Sequence, residues 1–165
     1  MKLWAETDAI NSAGKAVAVK VSEMTADINH QARSRGTKAV NALRNAEFEV
    51  LMGQRSGRKY RKPYTGRKTR KERKKSGYKP PEYTASAPGE APARRSGSLR
   101  LHWNGDVKSR NKPDGGVEVV AELESGEKYA YYLEEGKGME ARPFVEKIKK
   151  KALPEIEKIY SRPFT

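Results

Sequence analysis

The sequence predicts an α+β fold in which a long N-terminal helix and a C-terminal helix accompany a small antiparallel sheet. Three patterns predict it. A proline-free stretch from about residue 8 to residue 52 places apolar and small residues at helical spacing. Two strand-like runs flank the turn sequence Lys112-Pro113-Asp114-Gly115-Gly116. Apolar residues after Arg142 recur at steps of three and four. Together they predict one domain over residues 1–165 with an extended basic insert.

The predicted N-terminal helix has a narrow apolar face. Its members are Val17, Val21, Met24, Ile28, Ala32, Ala39, Leu43, Ala46 and Val50. Gly36 and its polar neighbours leave open either one long helix, bent at that point, or two stacked helices. Gly53 is expected to end the helix. Because Ala and Val bury little area, this helix needs a sheet or another subunit to hold it.

The positive charge of the chain is concentrated in one segment. The formal net charge is +14, and thirteen Lys or Arg but one acid, Glu72, fall between Gln54 and Lys79. Apolar residues make up 35% of the chain and charged residues 34%, which is too little apolar surface for every segment to join one core. Residues 54–82 are therefore predicted to form an arm between the helix and the sheet, disordered in isolation or a loose hairpin.

Two kinds of partner suit this insert. The candidate contact residues are Arg58, Lys59, Arg61, Lys62, Arg67, Lys68, Arg70, Lys71, Arg73, Lys74 and Lys75. They would bind nucleic-acid phosphates with release of counterions, and Tyr60, Tyr64 and Tyr78 would stack on exposed bases. They would equally well dock on an acidic face of a neighbouring subunit. Charge alone leaves both interpretations open.

The segments after the insert are shorter. Pro88 and Pro92 favour an extended approach to the sheet. The alternation of Leu99, Leu101 and Trp103 predicts a strand that precedes the hairpin. Residues 129–135 are compatible with either a short helix or a short strand.

The last predicted helix opens at Arg142-Pro143-Phe144, with Pro143 in its first turn. The residues expected on its inner face are Phe144, Ile148, Ala152, Ile156 and Ile159. Pro154 is expected to kink the helix or to split it near Leu153.

No catalytic pattern is recognisable. There is no cysteine, and His30 and His102 each stand alone, so a metal site is not expected. Ser96 and Ser98 lack the glycine pattern of a nucleophile elbow, and Glu134 and Glu135 are adjacent and point apart. We therefore expect no enzyme activity and no cofactor. No apolar run is long enough to span a membrane and no signal peptide is recognisable, so we expect a soluble protein that stays where it is made or in an assembly built there.

Three motifs in order carry a resemblance. The first motif is Gly53-Gln54-Arg55-Ser56-Gly57-Arg58-Lys59-Tyr60. The second is Ala85-Ser86-Ala87-Pro88-Gly89-Glu90-Ala91-Pro92, followed after a short gap by Ser96-Gly97-Ser98-Leu99-Arg100. The third motif is Tyr129-Ala130-Tyr131-Tyr132-Leu133-Glu134-Glu135-Gly136, followed by Met139-Glu140-Ala141-Arg142-Pro143-Phe144. This order is similar to that of the siphophage head–tail joining family, the tail-completion or minor tail protein Z-like neck proteins. The motif residues that match are Ser86, Pro88, Gly89, Pro92, Gly97, Leu99, Arg100, Tyr129, Ala130, Glu134, Gly136, Arg142, Pro143 and Phe144.

The resemblance implies a structural virion protein of a tailed-phage neck. Such a chain is assembled in the host bacterial cytoplasm and joins the portal and adaptor layers of the head to the tail as a ring subunit, a hexamer by preference or a dodecamer. Its partners would be other copies, other neck proteins, and the tail tube or terminator, with possible contact to packaged DNA and none to a membrane. The basic insert would reach a neighbour or line the DNA path. The other hypothesis is a monomeric nucleic-acid-binding protein that acts through residues 54–79.

Some motif residues have expected structural roles. Arg142 can bond carboxylates or carbonyls at a helix start, and Phe144 should anchor that helix on the sheet. Tyr129, Tyr131 and Tyr132 are expected to pack in the core, with an intersubunit contact as the alternative.

Overall fold

The computed structural model of the chain describes residues 3–94, 96–112 and 116–164 and confirms the α+β fold. There are two small two-stranded antiparallel sheets where one was predicted. The elements in chain order are α1 (Leu3–Met52), β1 (Lys59–Arg61), α2 (Arg70–Lys75), β2 (Glu82–Thr84), α3 (Ser98–Leu101), β3 (Trp103–Asn111), β4 (Val117–Ser125), α4 (Tyr129–Glu135) and α5 (Val145–Tyr160).

Helix α1 is one continuous helix of 50 residues, so the alternative of two stacked helices is wrong. At 1.5 Å per residue it is about 75 Å long. Its apolar face is covered only in the second half: Ala39 and Ala46 are buried, whereas Val17 is 63% exposed. The helix therefore extends well beyond the body of the chain and carries an uncovered apolar stripe, which also includes Val21, Met24 and Ile28.

The second half of α1 packs on the inner face of the β3–β4 sheet. The two strands pair antiparallel from Trp103↔Ser125 to Asn111↔Val117, which confirms the predicted hairpin. A β-carbon on Gly36 of α1 would come within 2.7 Å of Val107, and one on Gly105 of β3 would come within 2.4 Å of Val40. These two glycines let helix and sheet approach closely. The central turn residues 113–115 lie outside the described residues.

The predicted strand over residues 99–103 is wrong in its first part. Residues 98–101 form the short helix α3, and β3 begins only at Trp103. Leu99 and Trp103 are also one helical turn apart, so their spacing fits both structures. The backbone of Gly97, at φ +99°, starts the turn, and its carbonyl accepts from the N–H groups of Arg100 and Leu101.

Helices α4 and α5 close the fold. Residues 129–135 form a helix, the first of the two predicted alternatives. Helix α5 begins at Val145 behind the capping residue Phe144, so Pro143 lies before the first turn and not in it. Pro154 removes one backbone donor, yet the helix runs unbroken to Tyr160, and the predicted split is wrong.

The core lies where α1, α3, α4 and α5 meet. Its buried members are Ala46, Leu51, Ala91, Leu99, Ala130, Phe144, Ile148 and Ala152, and Ile156 packs partly against them. Phe144, Ile148 and Ala152 are thus on the inner face of α5, as predicted, while Ile159 is half-buried. Among the described residues, no helix is both long and apolar enough to cross a membrane.

Candidate functional site

The basic insert forms a hairpin-shaped arm that rises from the end of α1. Strands β1 and β2 pair antiparallel in the register Lys59↔Thr84, Tyr60↔Tyr83 and Arg61↔Glu82, and Gly57 and Ala85 extend the ladder through backbone hydrogen bonds. Helix α2 lies between the strands. Residues 54–82 therefore have the arrangement of a hairpin, which is one of the two alternatives that the sequence left open.

Helix α2 has six residues and is capped at both ends. Thr69 and Glu72 form a capping box, and the backbone hydrogen bond of Thr69 is the largest of the effects that lower the pKa of Glu72. At the other end Gly77, at φ +65°, closes a Schellman motif in which the N–H of Tyr78 donates to the carbonyl of Arg73. These caps explain how the cationic sequence Arg-Lys-Glu-Arg-Lys-Lys forms a helix despite its own repulsion.

Nearly all the cations of the arm face solvent. Arg58, Lys59, Arg61, Arg67, Lys68, Arg70, Lys71, Lys74 and Lys75 are exposed, while Lys62 and Arg73 are half-buried. Within the described part of the chain, the arm makes one ion pair, Arg61 to Glu82 at 3.6 Å. The arm therefore presents a dense positive surface with almost no counter-charge of its own.

The tyrosines of the arm are engaged within it. Tyr64 meets Tyr78 edge to face at 5.2 Å between ring centroids, and the Arg73 guanidinium lies 4.2 Å above the Tyr64 ring. Tyr60 stacks on Tyr83 at 5.8 Å. These contacts hold the arm together, and they leave Tyr64 half-buried and less free to stack on bases than the sequence alone suggested.

The motif segments, distant in sequence, meet at one junction. The Nη1 of Arg142 donates to the carbonyl of Ser86, to the Ser86 hydroxyl at 2.8 Å and to the carbonyl of Ala87 at 2.8 Å. The N–H of Gly89 donates to the carbonyl of Ala141 at 3.2 Å. Arg142 does bond carbonyls, as expected. They belong to the Ser86–Ala87 loop and not to a helix start, so Arg142 joins α5 to the root of the arm.

The Pro88 segment is a tight turn and not the extended approach that was predicted. The N–H of Glu90 donates to the carbonyl of Ala87 at 3.1 Å, and Gly89 has φ +74°. Pro at the second and Gly at the third position with positive φ is the pattern of a type II turn. Pro92, the last residue of the same motif, is buried.

Glu90 and Arg55 fasten the arm to this junction, and sequence reasoning assigned neither a role. The Glu90 carboxylate accepts from the Ser56 hydroxyl at 2.6 Å and from the N–H groups of Ser56 and Ala87, and these hydrogen bonds lower its pKa to about 2. The Arg55 guanidinium donates to the carbonyls of Val50 at 2.8 Å and Pro92 at 3.1 Å. Both residues lie within the motifs, and this position was the indication in the sequence that they have a structural role.

The motif over residues 129–144 couples α4 to α5. The Glu134 carboxylate accepts from the N–H of Phe144 at 2.9 Å and of Val145 at 3.3 Å, so it caps α5 in place of a local side chain. Gly136 has φ +73°, and a β-carbon there would come within 2.7 Å of the Ala141 backbone. The motif glycine is thus required by both its conformation and its neighbour.

Seven motif residues line one cavity of about 510 Å³ beside this junction. They are Ser86, Pro92, Gly97, Leu99, Arg100, Tyr129 and Arg142. The remaining motif residues lie in the turn, in α4 or at the start of α5. Residues that the sequence placed in separate motifs therefore build a single region of the molecule.

The tyrosines of α4 are not in the core, so the expected core packing is wrong. Tyr131 is 54% exposed, Tyr132 50% and Tyr129 39%, while the buried residue of α4 is Ala130. Tyr131 and Tyr132 meet edge to face at 5.9 Å. An aromatic surface remains uncovered on this side of the chain.

Glu47 of α1 is a buried carboxyl next to two arginines. It is 4% exposed, and its Oε1 atom has no hydrogen-bond partner among the described residues. Burial raises its pKa to about 7, although Arg100 and Arg44 act in the opposite direction. Because this pKa exceeds the ordinary value of 4.5, the chain loses stability as pH rises from about 4.5 to about 7.

We predict that Glu47→Gln is nearly neutral at pH 4 and stabilises the chain at pH 8. At the lower pH both forms are uncharged and of similar shape, whereas at the higher pH the wild type holds a charge with incomplete hydrogen bonding. Urea unfolding of both proteins at the two pH values measures the difference. An equal effect at both pH values would show that folding does not raise the pKa of Glu47.

We predict that Arg142→Ala lowers the free energy of unfolding by about 1.5–3 kcal/mol, the usual range for hydrogen bonds that involve a charged group. The loss follows from the three acceptors that Arg142 serves in Ser86 and Ala87. Arg110→Ala, at an exposed position of β3, is the matched control and should change stability by less than about 0.5 kcal/mol. Equal effects of the two substitutions in thermal unfolding would contradict this role.

The Nδ1 of His102 bonds the carboxylate of Glu127 across the start of the hairpin. In the ranges that the structure describes, no three His, Asp or Glu side chains are grouped as metal ligands. Elsewhere on the described surface, the groups available for recognition are the exposed cations of the arm and the exposed tyrosines of α4.

The chain was compared with models of protein families, with curated proteins and with solved structures, and none of them matches it.

Proposed function

We propose that this chain is a structural subunit of a tailed-phage neck, which joins the head to the tail as part of a ring and is located in the virion. In this role the arm is an assembly element that clasps a neighbouring subunit or ring, and the chain performs no catalysis. The proposal rests first on the resemblance of the ordered motifs to head–tail joining proteins.

The observation that carries the proposal is the convergence of those motifs. Arg142 of the motif over residues 129–144 bonds Ser86 and Ala87 of the motif over residues 85–92, and seven motif residues surround one cavity. Motifs that arose by chance in a charged sequence would have no reason to meet. Their contacts fit a shared structural role in placing the arm relative to α5.

The uncovered surfaces of the chain also support an assembly role. The first half of α1 exposes an apolar stripe that includes Val17 and Met24, and α4 exposes Tyr131 and Tyr132. Extended apolar and aromatic surface on one small chain is typical of protein–protein contact. A ring reuses one contact around an axis, so each subunit needs two such surfaces.

The second candidate function is nucleic-acid binding through residues 54–79. The exposed cations of the arm favour it, since they would bind phosphates by counterion release. The assembly role accounts for more of the molecule, because DNA binding leaves the stripe on α1 and the tyrosines of α4 unused. DNA must also slide through a neck during ejection, and tight phosphate contacts would slow it.

Sedimentation of the purified chain with and without DNA separates the two functions. The neck role predicts a closed species of fixed size without DNA, a hexamer by preference and a dodecamer otherwise. A monomer that binds DNA tightly, with an affinity that falls steeply with salt, would support the nucleic-acid role instead.

A further inference from the structure

The outer face of the β3–β4 sheet is uncovered. α1 covers the inner face, while the side chains that point the other way belong to Asn104, Asp106, Lys108, Arg110, Glu118, Val120, Glu122 and Glu124. All of them are exposed except Glu122, which is partly buried and whose side chain is still 43% exposed. An antiparallel sheet packed on a helix can leave its other face in water, so the charges of this face and not its exposure indicate whether it has a partner.

The charges on this outer face are unevenly placed. Asp106 and Glu122 are directly opposite each other across the ladder, and Glu124 follows on the same face. Two like charges in cross-strand positions destabilise a sheet. Lys108 bonds Glu122, and the pKa of Lys108 is raised by Glu122 first and also by Asp106 and Glu124. The end of the sheet near Trp103 and Ser125 is therefore negative even with Lys108 in place.

The counter-charge exists on the same chain but does not meet this face. Among the described residues, neither Asp106 nor Glu124 makes an ion pair, and no ion pair or hydrogen bond links the arm to the outer face. The arm carries its cations on a capped helix at the end of a hairpin, where they are presented away from their own core. Over the described residues, one chain thus bears two surfaces of opposite charge that do not contact each other.

We propose that the arm of one copy binds the acidic end of the outer β3–β4 face of the next copy. The inference rests on the proposed ring function and names the surfaces that build the ring. Because the arm and the face are different surfaces, the contact is heterologous and passes from copy to copy until it closes. It covers the bare face and brings cations to the opposed carboxylates of Asp106 and Glu122.

Two charge-reversed variants test this contact. The arm variant replaces with Glu four exposed cations on the N-terminal side of α2, where acidic residues suit the helix dipole: Arg67, Lys68, Arg70 and Lys71. The face variant replaces with Lys the three carboxylates Asp106, Glu122 and Glu124. A control variant replaces with Glu four exposed lysines elsewhere: Lys112, Lys128, Lys150 and Lys158.

Sedimentation equilibrium of each protein, and of an equimolar mixture of the two variants, gives the result. We expect each variant alone to assemble at least about tenfold more weakly than the wild type, because like charges then face each other. The control should assemble as the wild type does. The mixture should form rings again, since an acidic arm meets a basic face and a basic arm meets an acidic face in alternation. Rescue by mixing excludes misfolding as the cause of the loss.

Two other outcomes overturn the proposal in distinguishable ways. If the wild type forms rings and both variants form them equally well, the arm does not bind this face, while the neck function stands. If the wild type stays monomeric over the whole concentration range, both the ring and this contact are ruled out. Loss of assembly in both variants without rescue by mixing would also contradict a direct contact.

Discussion

Replacing Phe144 with Ala should lower the free energy of unfolding by about 3–5 kcal/mol, the range found for large aromatic side chains removed from a core. Phe144 is 1% exposed and meets Trp103 edge to face at 6.1 Å between ring centroids. It lies in the cluster that joins α1, α4 and α5, so the cavity left behind borders three elements. Thermal or urea unfolding of the variant measures the loss.

The matched control for this prediction is Leu153→Ala on the same helix. Leu153 is 51% exposed, so its removal should change stability by less than about 0.5 kcal/mol. A loss below about 1 kcal/mol for Phe144→Ala would contradict the account of the core, because a fully buried ring cannot be removed at so small a cost.

Neutralising the arm should prevent head–tail joining in a phage that depends on this chain. The variant replaces with Gln six exposed cations: Arg67, Lys68, Arg70, Lys71, Lys74 and Lys75. Arg73 is kept because it packs over Tyr64. The acidic end of the β3–β4 face offers three carboxylates, so at about 0.5 kcal/mol for each lost ion pair every contact of the ring weakens by about 1.5 kcal/mol, or about tenfold in affinity. Electron microscopy of the lysate should show filled heads and finished tails that remain separate.

A charge-preserving control accompanies the arm variant. Arg67→Lys with Arg70→Lys retains both positive charges and should support joining, since an exposed arm of this kind acts chiefly through charge. Normal joining by the Gln variant, combined with altered retention or ejection of DNA, would show that the arm lines the DNA channel and does not clasp a subunit.

The long-range pattern of the sequence was sufficient to predict the main elements. Helices α1 and α5 have sustained apolar spacing, and the two runs that form β3 and β4 flank a Pro-Asp-Gly sequence of the kind that favours a turn. Such features are local, and they are visible without knowledge of what packs against them. The covered half of α1 could not be told from the uncovered half, because both halves show the same spacing.

The wrong predictions concern short segments whose structure is determined by contacts with distant parts of the chain. Leu99 and Trp103 fit a strand and a helical turn equally well, and the fold chose the turn because Leu99 enters the core. The tyrosines of α4 were placed in the core by their size, but the small Ala130 occupies the buried position. Helix α2 was not predicted, because it depends on a capping box and a Schellman motif within a segment for which charge left disorder and a loose hairpin both open.

The contacts of the candidate site could be predicted least. Its residues were recognised as motif positions, but no local pattern tells that Arg142 would bond Ser86, 56 residues earlier, or that Glu134 would cap α5. Arg55 and Glu90 lie within the motifs, but no role was predicted for either residue. Long-range hydrogen bonds of this kind follow from the assembled fold and not from spacing.

Removing the chain from a phage that encodes it tests the neck function most directly. Electron microscopy of the lysate should then show DNA-filled heads and complete tails in normal numbers but unjoined, and supplying the chain in trans should restore joined particles. Joined virions in the absence of the chain would contradict the account, and so would a defect confined to DNA replication or packaging.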